Sequence, residues 1–328
     1  MITELLKRPT AVVVIVLAAL ALTPPLWLNP YYLSIATLTF VHIGLASAWN
    51  IVGGMAGQFS LGHSLFVSAG GVFSAALVVE IGLNAWLAVA VAAIVAAMLA
   101  VIISLLTFRP RLHHLSFALI TLALAELCLL FVLSNDFLGA AGGHVWPRAE
   151  GVQNLQFSPN GFYWLTYAVM GMTCLVAWLV LRSKMGHYLR AIRDDEDAAE
   201  AVGVNLLRYK TLAMVISAVL TSIVASVFGR YTVFVDPHQM ASPLLSISII
   251  LFVVVGGPGT IRGPILGAGL LYPAGELLRG QFGQLPGLHE LMFGLLIVFV
   301  VLYAPRGLAG FTMQRAVGGV RRAVTSGQ

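Results

Sequence analysis

Long apolar runs separated by short polar segments cover most of this chain. Seven runs are long enough to cross a bilayer, at 11–28, 33–52, 85–107, 114–134, 161–181, 211–229 and 289–304. Three further apolar stretches, 58–79, 243–256 and 264–278, are broken by Gly, Pro or polar residues. This pattern predicts an all-α polytopic membrane protein with about 8–10 transmembrane helices, some of them interrupted or re-entrant.

The composition supports that prediction. The mean hydropathy is +0.94, and 59% of the residues are hydrophobic while 9% are charged, whereas about a quarter of the residues of a soluble domain are charged. The two cysteines, Cys128 and Cys174, fall inside predicted spans and offer neither a disulfide framework nor a metal-binding spacing. We therefore expect one transmembrane domain over residues 1–328, with no cofactor and no metal.

The distribution of Lys and Arg predicts the orientation. If all ten stretches cross the membrane from a cytoplasmic N-terminus, all Lys and Arg lie inside except Arg148, Arg230 and Arg279. Both termini are then cytoplasmic, residues 135–160 form an extracytoplasmic loop, and residues 306–328 form a cytoplasmic tail. The net charge of +5 reflects this orientation and contact with membrane lipid, and it does not indicate nucleic-acid binding.

The segment 182–210 is the most highly charged part of the chain. Its apolar positions follow helical spacing at Leu189, Ile192, Ala199 and Val202. A cluster of acids stands where it can cap a helix N-terminus: Asp194, Asp195, Glu196 and Asp197. Gly203 can end that helix in a left-handed conformation. These signals predict one or two short, water-exposed helices, although a solvated loop between spans fits the pattern equally well.

Two glycine-rich segments interrupt the apolar pattern, Gly53–Ser64 and Gly256–Pro264. The first also contains Gln58, Ser60 and His63. Irregular backbone at membrane depth is tolerated only where protein covers it or where it lines a cavity, so both segments are candidates for a transport pathway. The alternative is an ordinary cytoplasmic turn beside closely packed helices.

Glu126 is the most notable ionisable residue in the apolar runs. It lies near the middle of the run 114–134, where a carboxylate costs about 2.5–3.5 kcal/mol unless it is neutral, paired or hydrated. We expect it to face the bundle interior, either as a pathway residue or as a hydrogen-bonded packing contact. Glu276 and Arg279, by contrast, predict a surface ion pair one turn apart.

The sequence gives no sign of an enzyme. None of its three lysines follows a glycine, so a phosphate-binding P-loop is excluded. It also contains no His-Glu-x-x-His zinc site, no Gly-x-Ser-x-Gly elbow and no dinucleotide-binding fingerprint.

Four further motifs occur in the chain: residues 57–63, Thr121-Leu122-Ala123 with Glu126, Gly142-Gly143, and residues 256–260 with Gly263-Pro264. Together they resemble the permease subunits of branched-chain amino-acid ABC importers, specifically the larger of the two homologous membrane subunits. The most specific motif is residues 191–203, which is similar to the cytoplasmic Glu-Ala-Ala-x-x-x-Gly loop of such permeases. Its matching positions are Asp197, Ala198, Ala199 and Gly203. The sequence departs from the pattern in having Asp for Glu and in lacking a recognisable Ile-x-Leu-Pro after Gly203.

The resemblance implies a non-enzymatic permease subunit in a bacterial cytoplasmic (inner) membrane. It implies a second, homologous permease subunit, two ATP-binding subunits, and an extracytoplasmic substrate-binding protein resting on the loop 135–160. The residues expected to couple to the ATPase are Arg193, Asp194, Glu196, Asp197, Ala198, Ala199, Glu200 and Gly203. Those expected to line a pathway at the interface between permeases are Gln58, Ser60, His63 and Glu126.

Branched-chain or other hydrophobic amino acids are the expected substrates. Similar permeases move urea, short amides or aromatic acids, so these remain alternatives. A rival from another class is a proton-coupled secondary transporter in which Glu126 and His63 form a proton relay and no ATPase is needed.

Overall fold

The computed structural model describes residues 29–109, 114–147 and 154–282, together with single positions between 288 and 309. The predicted span 11–28 and the tail 306–328 lie wholly or almost wholly outside these residues, as does most of the predicted span 289–304. The helices are α1 (Pro30–Asn50), α2 (His63–Ser68), α3 (Ser74–Ile81), α4 (Ala85–Phe108), α5 (His114–Leu133), α6 (Pro159–Arg182), α7 (Lys184–Asp194), α8 (Glu196–Ala201), α9 (Leu206–Thr232), α10 (Pro237–Met240), α11 (Pro243–Gly256) and α12 (Arg262–Phe282).

Shorter elements complete the described chain. A π turn extends α1 over Ile51–Met55, and another joins α2 to α3 over Ala69–Phe73. Two 3₁₀ turns, Asp136–Leu138 and Ala140–Gly142, follow α5. Strands β1 (His144–Val145) and β2 (Phe234–Val235) form a small antiparallel sheet, with His144 opposite Val235 and Val145 opposite Phe234.

The described residues include six helical stretches that are long and apolar enough to cross a membrane: Pro30–Met55, His63–Ile81, Ala85–Phe108, Leu115–Leu133, Pro159–Arg182 and Leu206–Thr232. They confirm the predicted all-α polytopic fold. Five match uninterrupted apolar runs, and the sixth matches the interrupted stretch 58–79 but begins only at His63. The helix Pro243–Gly256 is apolar but shorter.

The connecting segments alternate between two ends of the helix bundle. One end carries α7 and α8 and the turns after α1, α4 and α11, and we call it the charged face. The other end carries the β1–β2 sheet and the segment between α5 and α6, and we call it the opposite face. Within the described part of the chain, the Lys and Arg residues lie at the charged face except for Arg230 and Arg279.

Small residues let the central helix α9 approach its neighbours closely. The buried positions of α4 form an alanine stripe: Ala85, Ala88, Ala92, Ala96 and Ala100. At Gly70, in the second π turn, an added Cβ would lie 2.2 Å from the Ser222 carbonyl oxygen of α9. The Ser226 hydroxyl donates to the Gly70 carbonyl over 2.8 Å. Membrane helices pack in this way through small residues and interhelical hydrogen bonds.

Candidate functional site

The charged segment forms two short helices, as the sequence predicts. Ser183 caps α7, its hydroxyl accepting from the backbone N–H of Gly186. The apolar side of α7 is buried through Gly186, Leu189 and Ile192, while most of its polar side chains are partly or fully exposed. A water-facing helix is held on a membrane bundle by such an apolar stripe.

Helix α8 has a defined cap at each end. At its start, the Asp195 carboxylate accepts from the Ala198 N–H over 2.9 Å. At its end, Gly203 has a φ of +90° and its N–H donates to the Glu200 carbonyl, while the Val204 N–H donates to the Ala199 carbonyl. This pair of bonds is a Schellman motif. The predicted left-handed glycine end is therefore confirmed, and Asp195 is the capping residue among the clustered acids.

Glu196 ties α8 to two other parts of the bundle. Its Oε1 lies 2.6 Å from the Nζ of Lys210 in the first turns of α9. The same oxygen accepts from the Gln58 side-chain amide over 2.9 Å. Lys210 is 7% exposed, and its ammonium also lies 5.3 Å from the centre of the Phe108 ring. A buried ammonium needs such a partner, so this pair fixes the position of α8.

Arg193 ties α7 to the end of α1. Its Nη1 donates to the Gly54 carbonyl over 3.0 Å. An added Cβ at Gly57 would lie 2.7 Å from the Arg193 Cγ, and one at Gly259 would lie 2.4 Å from the Arg193 Nη1. The two glycine-rich segments, far apart in sequence, therefore meet around one guanidinium group.

Asn50 joins those two segments directly. Its side-chain oxygen accepts from the Gly259 N–H over 2.8 Å, and its side-chain amide donates to the Thr260 carbonyl over 2.9 Å. The Asn50 side chain is 1% exposed. Both segments thus lie at the charged face, beneath α7.

The outer side of α8 is exposed. We call this the docking surface, and its exposed residues are Asp197, Ala198, Glu200, Ala201, Val202 and Gly203. Val202 is 80% exposed, and an added Cβ at Gly203 would have no atom within 4 Å. Ala199 is different, because it is 3% exposed and packs with Ile192 and Val204 inside the chain.

Three of the predicted pathway residues are buried next to the charged face, and two of them, Ser60 and His63, form a polar cluster with Ser217. His63 is fully buried, with Nε2 2.8 Å from the Ser217 hydroxyl and Nδ1 3.2 Å from the Ser60 hydroxyl. Since the Ser217 hydroxyl donates to the Ala48 carbonyl, it accepts from the His63 Nε2–H. Gln58 is 2% exposed and Ser60 is 1% exposed. The geometry brings His63 and Ser60 together, whereas Gln58 bonds Glu196 and the Ala56 carbonyl. The role of all three in a pathway stays a prediction.

Glu126 lies apart from that cluster. It is exposed on α5 and makes no hydrogen bond or ion pair with the residues that the structure describes. The expectation that it faces the interior of the bundle is wrong for this chain, because α5 lies at the edge and only 28% of its span is buried. Helical spacing places Glu126 on the same outward side as Leu119 and Leu130.

Sequence reasoning missed Lys210, Asn50 and Gly54 as parts of this site. The partners of these three residues lie 14 to 210 positions away in the chain, and several of the bonds use backbone atoms, which the sequence pattern does not reveal. One feature of the sequence could have identified Lys210 as a site residue, because it is a lysine at the start of an apolar run. The ion pair of Arg279 with Glu276, 3.4 Å apart, is confirmed at the opposite face.

Comparison with known proteins decides the family. The family described as "Branched-chain amino acid transport system / permease component" matches residues 31–301. The chain belongs to this family. It is therefore a multi-pass membrane permease subunit of an ABC transport system, and the resemblance seen in its motifs is confirmed.

Relatives of this permease come from bacteria and an archaeon. It is 27% identical to the high-affinity branched-chain amino acid transport system permease protein LivM of Escherichia coli K12 over 323 residues, which is 91% of this chain and 74% of the relative. It is 24% identical to a probable LivM of Methanocaldococcus jannaschii over 78% of this chain and 76% of the relative. The E. coli LivH permease is 27% identical over 44% of each chain. No solved structure matches this permease.

Proposed function

We propose that this permease translocates branched-chain or other hydrophobic amino acids inward across a bacterial cytoplasmic membrane, driven by two separate ATP-binding subunits. The observation that carries the proposal is the α7–α8 pair. Its outer side is exposed, while Arg193 and Glu196 anchor its inner side to the spans. A surface that is exposed on its outer side and bonded to the spans on its inner side can receive a partner and pass movement to the membrane segments.

The docking surface suits an ATP-binding subunit. Small side chains at Ala198, Ala201 and Gly203 permit close approach, and Val202 offers an apolar contact. Charges at Asp197 and Glu200 border this patch and can fix the register of the partner. Asp194 is 73% exposed at the end of α7 and extends the acidic border.

The charged face is proposed to be cytoplasmic. Lys and Arg are concentrated there, and cytoplasmic loops of membrane proteins carry an excess of these residues. The opposite face would then receive the substrate-binding protein. There Arg230, 1% exposed, donates to the Asn154 carbonyl and the Gln156 side-chain oxygen, which holds the segment before α6 against the end of α9.

A second permease subunit is proposed to cover the outward side of α5. An unpaired carboxylate is costly in contact with lipid. Glu126 therefore favours a protein-covered or hydrated surface, which an interface between two permeases provides. The relatives LivM and LivH of E. coli are both named permease proteins of one transport system, which supports a pair of unlike subunits.

The names of the LivM relatives support apolar amino acids as the substrate. The proton-coupled alternative is not favoured. His63 bonds Ser60 and Ser217, while Glu126 lies on the outer surface of α5. Within the described ranges, no hydrogen bond joins His63 to Glu126.

Reconstitution tests the proposal. The permease, its partner permease, the two ATP-binding subunits and the binding protein of the same organism are assembled in proteoliposomes. We expect uptake of labelled leucine that requires both ATP and the binding protein. Preferential uptake of urea, acetamide or an aromatic acid would reassign the substrate. Uptake driven by a proton gradient without ATP would contradict the mechanism.

A further inference from the structure

Arg193 lies in an open slot against the backbone of three glycines. Its side chain is 38% exposed, and its Nε lies 3.6 Å from the Asp194 carboxylate on the solvent side. Its guanidinium donates to Gly54, which precedes the non-helical turn between α1 and α2. The stem of its side chain passes Gly57, where φ is +70° and a Cβ would come within 2.7 Å. Its end reaches Gly259 in the turn between α11 and α12, where φ is +76°. Any larger residue at Gly259 would collide with the guanidinium and with the Gly54 carbonyl, 2.8 Å from the added Cβ.

This slot and the link made by Glu196 meet at one turn and then diverge. Arg193 passes Gly57 in that turn, while Glu196 accepts from the neighbouring Gln58. Glu196 also contacts Lys210 and so connects α8 with α9, whereas Arg193 connects α7 with the end of α1 and with the turn between α11 and α12. The two links therefore differ in the second membrane segment that each reaches.

The two turns around Arg193 are coupled to each other. Asn50 binds the backbone of Gly259 and Thr260, so a displacement at Gly54 is shared with the α11–α12 turn. In a close-packed interior, small shifts pass between elements that are in direct contact. A movement of α7 therefore has a short, continuous route to three helices.

We infer that Arg193 is a positioning residue through which movement of α7 reaches both glycine-rich turns at once. This inference rests on the proposed function and adds to it a residue that acts inside the permease. In this role Arg193 does not hold the ATP-binding subunits, and it does not touch substrate. Arg193 transmits the movement that the attached ATP-binding subunits impose on α7 to α1, α11 and α12.

The first test compares variants in the assembled transporter. With Arg193→Gln we expect the ATP-binding subunits to co-purify at the wild-type ratio, while substrate moved per ATP hydrolysed falls at least tenfold. Arg193→Lys keeps the charge but reaches fewer acceptors, so we expect an intermediate ratio. The matched control is Arg190→Gln on the same helix, because Arg190 bonds the Gly186 carbonyl of its own helix. An unchanged ratio in Arg193→Gln, or loss of the ATP-binding subunits, would overturn the inference.

A second test does not depend on the substrate. Pro258→Cys places a thiol in the exposed part of the α11–α12 turn, in a chain whose Cys128 and Cys174 are replaced by Ala. We expect its maleimide labelling rate to change several-fold when ATP binds to the complex, and to stop responding when Arg193→Gln is added. A response that survives Arg193→Gln refutes the inference. If the labelling rate changes with ATP and this change depends on Arg193, but the transporter shows no ATP-driven amino-acid uptake, only the proposed function is refuted.

Discussion

At the scale of single residues, Glu196 is where the charged segment is most firmly joined to the spans. One oxygen serves both Lys210 and Gln58, and neither of these is exposed by more than 7%. Removing the carboxylate leaves a buried ammonium and a buried amide without that acceptor. Because Glu196 itself is 28% exposed, water offsets part of the loss.

We therefore expect Glu196→Ala to destabilise the permease by about 1–3 kcal/mol. Thermal unfolding of the purified permease in detergent measures the effect as a lower Tm. Asp197→Asn, a change of an exposed acid on the same helix, is the control and should shift the Tm much less. Equal shifts in the two variants would mean that the contacts with Lys210 and Gln58 contribute little.

At the scale of elements, Gly203 has two roles that can be tested separately: it ends α8 in a Schellman motif, and it lies on the docking surface. Its φ of +90° is strained for residues with a side chain, whereas Asn tolerates the left-handed region better than Ala. Among the described residues, no atom lies within 4 Å of a Cβ added at position 203. Within the chain, Gly203→Asn should therefore lower the stability by at most a few tenths of a kcal/mol. Any larger effect of this substitution would come mainly from contact with a partner.

We expect Gly203→Asn to keep a near wild-type Tm but to reduce co-purification of the ATP-binding subunits several-fold. Gly203→Ala should lower both quantities, because the backbone strain of about 1–2 kcal/mol is added. The two variants are compared side by side in detergent extracts. If Gly203→Asn captures the subunits as well as the wild type does, the docking surface does not include this position.

The close packing of the second π turn against α9 can be tested by a substitution at Gly70. Gly70→Ala places a Cβ 2.2 Å from the Ser222 carbonyl oxygen, and both helices would have to shift. We expect a loss of about 1–3 kcal/mol, measured as a lower Tm. Gly171→Ala in α6 is the matched control, because its added Cβ meets nothing within 4 Å and Ala favours a helix. It should be neutral or slightly stabilising, and a loss at Gly171 as large as that at Gly70 would contradict the packing explanation.

At the scale of the whole molecule, the sequence predicts what depends on neighbouring positions along the chain. Apolar runs correctly predicted five of the six described spans, and Gly203 and the acid cluster predicted the ends of α8, because helix periodicity and capping are local. The contacts of Arg193, Asn50 and Glu196 were not predictable, since each joins segments that only the folded bundle brings together. Glu126 shows a different limit of prediction from sequence. Its cost in lipid predicted a protein surface, but a single sequence does not say whether that surface belongs to its own chain or to a partner.

The proposed orientation of the whole bundle rests on the summed charge of its ends, and it can be measured. Ala141 is exposed at the opposite face, and Arg208 is exposed at the charged face. A single cysteine is introduced at each in turn, as Ala141→Cys or Arg208→Cys, with Cys128 and Cys174 replaced by Ala. Right-side-out membrane vesicles are then treated with a maleimide that does not cross the membrane.

We expect Ala141→Cys to react in intact vesicles and Arg208→Cys to react only after the membrane is permeabilised. The reason is the excess of Lys and Arg at the charged face, which retains that face in the cytoplasm during insertion. Inside-out vesicles serve as the control and should show the opposite order. The reverse pattern would place α7 and α8 outside the cell. No cytoplasmic ATPase could then reach the docking surface, and the coupling roles proposed for Arg193 and Glu196 would fail together.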